Sequence, residues 1–199
     1  MKINTVRLRV MIGWLGMLLP WIVSCLIGYI PPSISETWYT NACTIFVIIL
    51  GSASFFLISY KGYIAIDDVL LTLSGIAGIG ICLFPCYTAG VDKVGTFMIS
   101  VEKSNIVHII FAVVFFAILA YNSIFLFTKT SGDMTPNKKK RNTIYRICGI
   151  GMALSFAILI LPNFYIQIWL METIALSLFG ISFLTKANTY RWLFCDKPD

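Results

Sequence analysis

Six apolar segments of about 20 residues each divide this chain, and they constrain its fold more than any other feature. A helix needs about 20 mostly apolar residues to cross the hydrocarbon core of a bilayer. None of the segments carries a lysine or an arginine in its apolar middle. Their bounds are 10–30, 41–60, 69–87, 105–127, 144–161 and 164–184. The sequence therefore predicts an all-α fold, in which residues 1–199 form a single transmembrane domain, a six-helix transmembrane bundle.

The overall composition agrees with a lipid environment and argues against a soluble domain. Hydrophobic residues make up 58% of the chain and charged residues only 12%, against roughly 25% charged residues in soluble domains. A soluble protein of this length would leave much of that apolar surface exposed to water. We therefore expect a multi-pass membrane protein, with membrane lipids as its immediate partners.

The basic residues predict how the bundle is oriented. If the six segments span, 13 of the 15 lysines and arginines fall on one side, together with both termini. Positive residues mark the cytoplasmic side of a membrane protein, so both termini are predicted to be cytoplasmic. The net charge is +6, but the basic residues flank apolar segments and form no separate basic face. This placement predicts contact with the anionic inner leaflet and no nucleic-acid partner.

A run of four basic residues precedes the fifth segment. Lys138, Lys139, Lys140 and Arg141 are consecutive. Basic residues beside a span attract anionic lipid headgroups. We therefore predict lipid headgroup contact along this run, and docking of an acidic soluble partner is the alternative.

Two ionisable residues lie inside predicted spans. Glu172 falls in the sixth segment, where a carboxylate is costly unless it is paired, hydrated or protonated. His108, the one histidine of the chain, lies about one turn into the fourth segment. The functional interpretation is a ligand site or a pathway; the alternatives are an interhelical hydrogen bond for Glu172 and a backbone or headgroup contact for His108.

The first predicted outer loop supplies further polar candidates. Ser35 and Glu36 lie in it, and Asn41 begins the next segment. We predict a ligand-binding or pathway site on the outer side, with Ser35, Glu36 and Asn41 as its walls, His108 opposite and Glu172 beneath. The stretch 94–101 in the longest outer loop is predicted to be a strand-like lid.

The sequence predicts no metal site and no cofactor. Its six cysteines form no CxxC pair, and a single histidine cannot form an all-histidine site. Small residues four apart, Ser74 with Gly78 and Gly149 with Ala153, are instead typical of closely packed membrane helices.

Four short motifs carry a resemblance to known proteins. They are Ser33-Ile34-Ser35, Tyr60-Lys61-Gly62-Tyr63, Leu83-Phe84-Pro85 and His108 at the start of the fourth segment. In these motifs the chain resembles an uncharacterised group of small bacterial polytopic membrane proteins, and the resemblance implies a multi-pass protein of a bacterial inner membrane. That group is distantly similar to the CREST-type membrane hydrolases, which include the alkaline ceramidases.

The resemblance implies a helical bundle and, in the hydrolases, a particular catalytic set. Those enzymes use a serine, an aspartate and three histidines around zinc within seven helices. Here Ser35 and His108 are the counterparts, while the other two histidines and a seventh segment are absent.

Three functions follow from the sequence as hypotheses. The first is a non-enzymatic membrane protein that binds or senses a lipid or small amphiphile at the outward-facing site. The second is a homo-oligomeric channel or pore-type effector with Glu172 in its pathway. The third is a membrane-embedded hydrolase that uses Ser35 and His108.

Overall fold

The computed structural model of the chain describes residues 5–62, 65–130, 134–160 and 168–189, and these are almost entirely helical. The helices are α1 (Thr5–Ile27), α2 (Cys43–Ser59), α3 (Ala65–Leu83), α4 (Val101–Tyr121), α5 (Pro136–Ile160) and α6 (Ile168–Lys186). A π-helical turn, Asn122–Leu126, continues α4. The predicted all-α fold is thus confirmed.

Five of these helices are long and apolar enough to cross a membrane: α1, α3, α4 with its π-helical turn, α5 and α6. The remaining helix, α2, is apolar but has 17 residues. At 1.5 Å per residue it is about 25 Å long, slightly less than the roughly 30 Å hydrocarbon core.

The helix ends differ from the predicted bounds in ways that move functional residues. Helix α4 begins at Val101, before the predicted start at 105, so His108 lies about two turns into it. Helix α5 begins at Pro136, before the predicted 144, because Thr135 Oγ accepts a hydrogen bond from the Lys138 amide at 3.2 Å and proline suits a first helical position. The predicted start of the sixth segment at 164 lies outside the described residues.

The six helices form a closed ring. Each packs against its neighbour in chain order, and α6 returns to pack against α1. Buried aromatic side chains, including Phe46, Phe115 and Phe179, fill the interior. Large apolar side chains are exposed on the outside of every helix, as a lipid-facing surface requires; they include Leu18, Ile48, Ile76, Ile110, Leu154 and Ile174.

Glycines allow the helices to approach closely where the ring closes. A Cβ atom added to Gly180 of α6 would meet the Gly13 carbonyl oxygen of α1 at 2.6 Å. The predicted packing role of Gly78 is also confirmed, because an added Cβ would overlap the Ser54 side chain of α2. At Gly149 of α5, an added Cβ would meet the Ala120 carbonyl oxygen of α4 at 2.8 Å.

Two irregular segments cover one end of the ring, which we call the Ser35 end. The first, residues 31–40, includes the 3-10 helix Ser35–Tyr39. The other, residues 84–100, contains a short hairpin of β1 (Lys93–Val94) and β2 (Ile99–Ser100). The predicted strand-like lid at 94–101 falls on this hairpin, whose two strands have two residues each, and Val101 at its end already belongs to α4. We call the opposite end the Lys186 end.

Hydrogen bonds hold residues 31–40 against α3 and α6. Trp38 Nε1 donates to the Cys82 carbonyl oxygen of α3 at 3.2 Å, and the Trp169 amide of α6 donates to the Pro32 carbonyl oxygen at 3.0 Å. Trp169 Nε1 also donates to Ser24 Oγ of α1 at 3.0 Å. This loop is therefore a fixed part of the bundle that carries Ser35 into its interior.

Candidate functional site

The carboxylate of Glu172 binds the loop at the Ser35 end. Its Oε2 accepts a hydrogen bond from the Ile34 amide at 2.5 Å, and its Oε1 lies 3.3 Å from Ser35 Oγ. Ile34 is almost completely buried, so its amide has this carboxylate in place of water. A group from α6 therefore fixes the position of Ser35.

The imidazole of His108 approaches the same hydroxyl from α4. His108 Nδ1 lies 2.7 Å from the Phe84 carbonyl oxygen, and Nε2 lies 3.1 Å from Ser35 Oγ. A carbonyl oxygen only accepts, so Nδ1 must carry a hydrogen. In the neutral imidazole, Nε2 is then an acceptor aimed at the Ser35 hydroxyl.

Ser35 consequently lies between a base and a carboxyl group. Its hydroxyl has one proton and can accept others. The proton points to His108 Nε2 when a protonated Glu172 donates to Ser35 Oγ, and it points to Glu172 Oε1 when His108 is an imidazolium. These two arrangements hold the same number of protons, so Ser35 joins His108 and Glu172 into one hydrogen-bonded chain.

Glu36 lies beside the hydrogen-bonded groups Ser35, His108 and Glu172, at a less buried position. Its amide donates to Ser33 Oγ at 3.1 Å, which stabilises the turn that presents Ser35. Burial raises the pKa of the Glu36 carboxyl above its ordinary value. Glu36 therefore adds a second acidic group next to Glu172.

The pKa values of Cys86 and Tyr39 indicate that the surroundings of the Ser35, His108 and Glu172 cluster have low polarity. Tyr39 Oη donates to the Cys86 carbonyl oxygen at 2.6 Å. Burial, followed by the charges of Glu172 and Glu36, raises the pKa of the Cys86 thiol to about 12. Burial is also the main cause that raises the pKa of Tyr39 to about 12. Charged forms of both groups are thus disfavoured here.

A cavity of about 470 Å³ extends from this polar cluster into the bundle. All six helices contribute apolar side chains to it, among them Leu19, Phe46, Ile81, Phe116, Phe156 and Leu176. Ser35, Glu36, His108 and Glu172 also line it. The volume lies within the range of roughly 300–1,000 Å³ that is common for small-molecule sites.

The cavity reaches the apolar outer surface of the bundle beside α4 and α6. Ile109 and Val113 of α4 and Ile168 of α6 line the cavity, yet all three are substantially exposed. A side chain that faces both the cavity and the outside marks an opening. The described residues therefore form a cavity with a lateral, apolar mouth.

Four of the five predicted site residues are brought together, and one is not. Ser35, Glu36, His108 and Glu172 share the cavity, whereas Asn41 is exposed and its Nδ2 donates to the Leu26 carbonyl oxygen at 3.4 Å. The Ile34 amide, the Phe84 carbonyl oxygen and Ser33 were missed as site groups. The first two are backbone groups, so no side-chain type in the sequence indicates their role. All three positions nevertheless lie in the motifs Ser33-Ile34-Ser35 and Leu83-Phe84-Pro85, which could have pointed to them.

The basic run lies at the Lys186 end, away from this site. Lys139 and Lys140 are exposed, while Lys138 and Arg141 are partly buried. The predicted headgroup contact stays a prediction for all four, although the structure divides them into two pairs.

The zinc set implied by the resemblance does not fit these residues. Among the described residues, no three histidine, cysteine, aspartate or glutamate side chains are grouped so that they could hold a metal ion. His108, the one histidine, directs Nδ1 at a backbone carbonyl and Nε2 at Ser35. No family model, no curated protein and no solved structure matches the chain.

Proposed function

We propose that this protein spans a bacterial inner membrane six times, with both termini in the cytoplasm, and binds an amphiphile in its cavity. The observation that carries the proposal is an apolar cavity that ends on the hydrogen-bonded cluster of Ser35, His108 and Glu172. The apolar tail of the ligand would occupy the bundle interior, and its polar head would contact the cluster.

The lateral mouth gives such a ligand a route from the bilayer. Ile109, Val113 and Ile168 make the rim apolar, so an acyl chain would leave lipid and enter the cavity without contacting water. This route needs no opening at either end of the bundle. In this proposal the polar site predicted on the outer side forms the polar end of a cavity that lipid can enter from the side.

Charge restricts the class of head group. Two carboxyl groups, Glu36 and Glu172, line the cavity, and among the described residues no lysine or arginine does. An anionic head would meet like charge in a poorly hydrated place. The proposed ligand is therefore a neutral or cationic amphiphile whose head donates hydrogen bonds, such as a monoacylglycerol or a long-chain amine.

A bulky substitution on α4 tests the proposal. Ala112 lines the cavity, whereas Ala117 of the same helix is exposed on the outside. Native mass spectrometry of the purified protein with monoolein, oleylamine and oleic acid measures binding. We expect monoolein and oleylamine to bind better than oleic acid, and Ala112→Trp to abolish binding while Ala117→Trp does not. Equal binding by the two variants, or preference for oleic acid, would reject the proposal.

One distance favours a second candidate function, a metal-independent hydrolase. Ser35 Oγ lies 3.1 Å from His108 Nε2, within the range required between a nucleophile and its base. In such a reaction Oγ would attack an ester carbonyl as its proton moves to Nε2. The imidazolium would return that proton to the leaving alcohol, and water would then release the acid from Ser35. A hydrolase also needs hydrogen-bond donors that stabilise the oxyanion formed by the attack. The Ile34 amide beside the cluster already donates to Glu172, so binding remains the first proposal.

The channel hypothesis has weaker support. Glu172 directs both carboxylate oxygens at the loop residues Ile34 and Ser35. Homo-oligomerisation and a pathway through Glu172 therefore stay predictions from the sequence.

A further inference from the structure

The hairpin at the Ser35 end carries two large apolar side chains in its turn. Residues 95–98, which we call the hairpin tip, connect β1 to β2, and the Met98 amide donates to the Gly95 carbonyl oxygen at 3.2 Å. Phe97 and Met98 are 57% and 62% exposed. Turns that face water are built mainly from glycine, proline, asparagine, aspartate and serine. The side chains at this tip therefore suit a different surrounding.

The backbone of the hairpin tip gives a second sign of this. Met98 has a φ angle of +50°, in the left-handed region where side chains other than those of glycine and asparagine are strained. Gly95, with a φ angle of +73°, occupies that region without strain. The turn thus keeps a methionine where a glycine or an asparagine would fit the backbone better.

A stack of aromatic rings connects the hairpin tip to α4. The rings of Phe97 and Phe84 are stacked with their centroids 5.3 Å apart, and Phe84 is stacked on Phe111 at 5.9 Å. Phe111 lies in the apolar span of α4. A Cβ atom added to Gly95 would be 2.8 Å from the Leu83 carbonyl oxygen, so the tip also lies directly against the end of α3. The apolar surface of the tip therefore continues that of the bundle.

Two hydrogen bonds give the level of the hairpin tip along α4. Ser104 Oγ donates to the Pro85 carbonyl oxygen at 2.8 Å, and His108 Nδ1 donates to the Phe84 carbonyl oxygen at 2.7 Å. The tip packs against residues 83–85 and is therefore level with residues 104–108. The long apolar run of α4 begins at this level.

Charged residues lie at the other end of the hairpin. Asp92 and Lys93 begin it, and Glu102 and Lys103 follow it in the first turn of α4. The Val101 amide donates to the Asp92 carbonyl oxygen at 3.1 Å, which holds the two ends of the hairpin together. All four charged residues are exposed. The hairpin thus has a charged base and an apolar tip, as expected of an element that enters lipid from the water side.

We propose that the hairpin tip inserts into the interface of the bilayer, where Phe97 and Met98 contact the glycerol and upper acyl groups of phospholipids. This inference rests on the proposed membrane span. The charged base stays among the head groups and water. Because the Phe84 carbonyl oxygen holds His108 and the Phe84 ring is stacked on Phe97, one residue separates the inserted tip from the candidate site.

Photo-crosslinking of the full chain in nanodiscs of dioleoylphosphatidylcholine tests the proposal. In separate variants, p-benzoylphenylalanine replaces Phe97 or Met98; its excited ketone takes a hydrogen atom from a nearby C–H group, and the two carbon radicals then form a bond. Asp92, exposed on the same hairpin, is the matched position on the water side. Ile110, which is 56% exposed on α4, is the control for the membrane span. Intact-mass spectrometry after irradiation detects the phospholipid adduct.

We expect the phospholipid adduct at positions 97, 98 and 110 and its loss at position 92. An adduct at 110 without one at 97 and 98 would overturn the inference and leave the membrane span intact. Absence of the adduct from all four positions would reject the span as well. A covalent dimer formed from 97 or 98 in place of the lipid adduct would also overturn the inference, because the tip would then face a second copy of the chain. The two tip positions are measured independently, so misfolding of one variant leaves the other as the test.

Discussion

Ser35 Oγ lies 3.1 Å from His108 Nε2, although 73 residues separate the two in the chain. The Phe84 carbonyl oxygen holds the other ring nitrogen at 2.7 Å, which fixes Nε2 as the acceptor of the neutral ring. Glu172 lies 3.3 Å from the far side of the same hydroxyl. The arrangement places a hydroxyl, a base and a carboxyl group at the end of an apolar cavity, where both proposed functions require them.

The hydrolase candidate predicts that Ser35 reacts covalently with an apolar serine reagent. A long-chain alkyl fluorophosphonate should enter the cavity and label Ser35, because His108 accepts the hydroxyl proton as phosphorus is attacked. Intact-mass spectrometry followed by peptide mapping locates the adduct.

Two variants control that experiment. His108→Gln should slow labelling by about a hundredfold or more, in the range of general-base contributions, and Ser35→Ala should abolish it. Binding of monoolein without any labelling would leave the amphiphile proposal intact and remove the hydrolase.

The sequence predicted most of this site from the cost of placing polar groups in a membrane. Glu172 and His108 were predicted because ionisable side chains in spans need a partner or a function, and Ser35 and Glu36 because they lie in the adjoining loop. Asn41 was grouped with them because it begins the second segment, but its exposed side chain turns to α1. The sequence shows which loop a residue occupies and does not show which way its side chain points.

The fold was predictable for a similar reason, and its details were not. Six apolar segments predicted six helices, all observed. The start of α5 at Pro136 depends on a single cap, Thr135, in a stretch too polar for a hydropathy criterion. The Ile34 amide and the Phe84 carbonyl oxygen are backbone groups, so no residue type signals their role at the site.

Substitution of Glu172 should separate its structural role from its polar chemistry. Glu172→Ala removes the acceptor of the Ile34 amide and leaves that amide buried, which costs about 1–3 kcal/mol. Glu172→Gln keeps an acceptor at the same place and should cost less. Thermal unfolding in detergent measures both, and destabilisation by Gln as large as that by Ala would contradict the contact with Ile34.

Cys86 should serve as a reporter of the cavity through its alkylation rate. Only the thiolate reacts, so the rate rises with pH until the thiol pKa is passed. An ordinary thiol levels off above about pH 8.5, whereas Cys86, with a pKa of about 12, should still react faster at pH 10 than at pH 9.

Peptide-level mass spectrometry after iodoacetamide treatment resolves Cys86 from the other cysteines. Because Cys86 lines the cavity, saturating monoolein should also slow its alkylation at fixed pH. A plateau near pH 8.5 would contradict the buried environment, and no protection by a bound amphiphile would place the ligand elsewhere.

The closure of the helix ring predicts a contrast between two glycines. At Gly180 an added Cβ would lie 2.6 Å from the Gly13 carbonyl oxygen, which belongs to the backbone of α1 and cannot rotate away. Gly180→Ala should therefore force α6 from α1 and destabilise the protein by about 1–3 kcal/mol. At Gly51 of α2 an added Cβ meets nothing within 4 Å, and alanine favours a helix by up to about 1 kcal/mol over glycine. Gly51→Ala should thus leave the melting temperature unchanged or raise it, while Gly180→Ala lowers it. Equal melting temperatures for the two variants would mean that α1 and α6 are not in backbone contact.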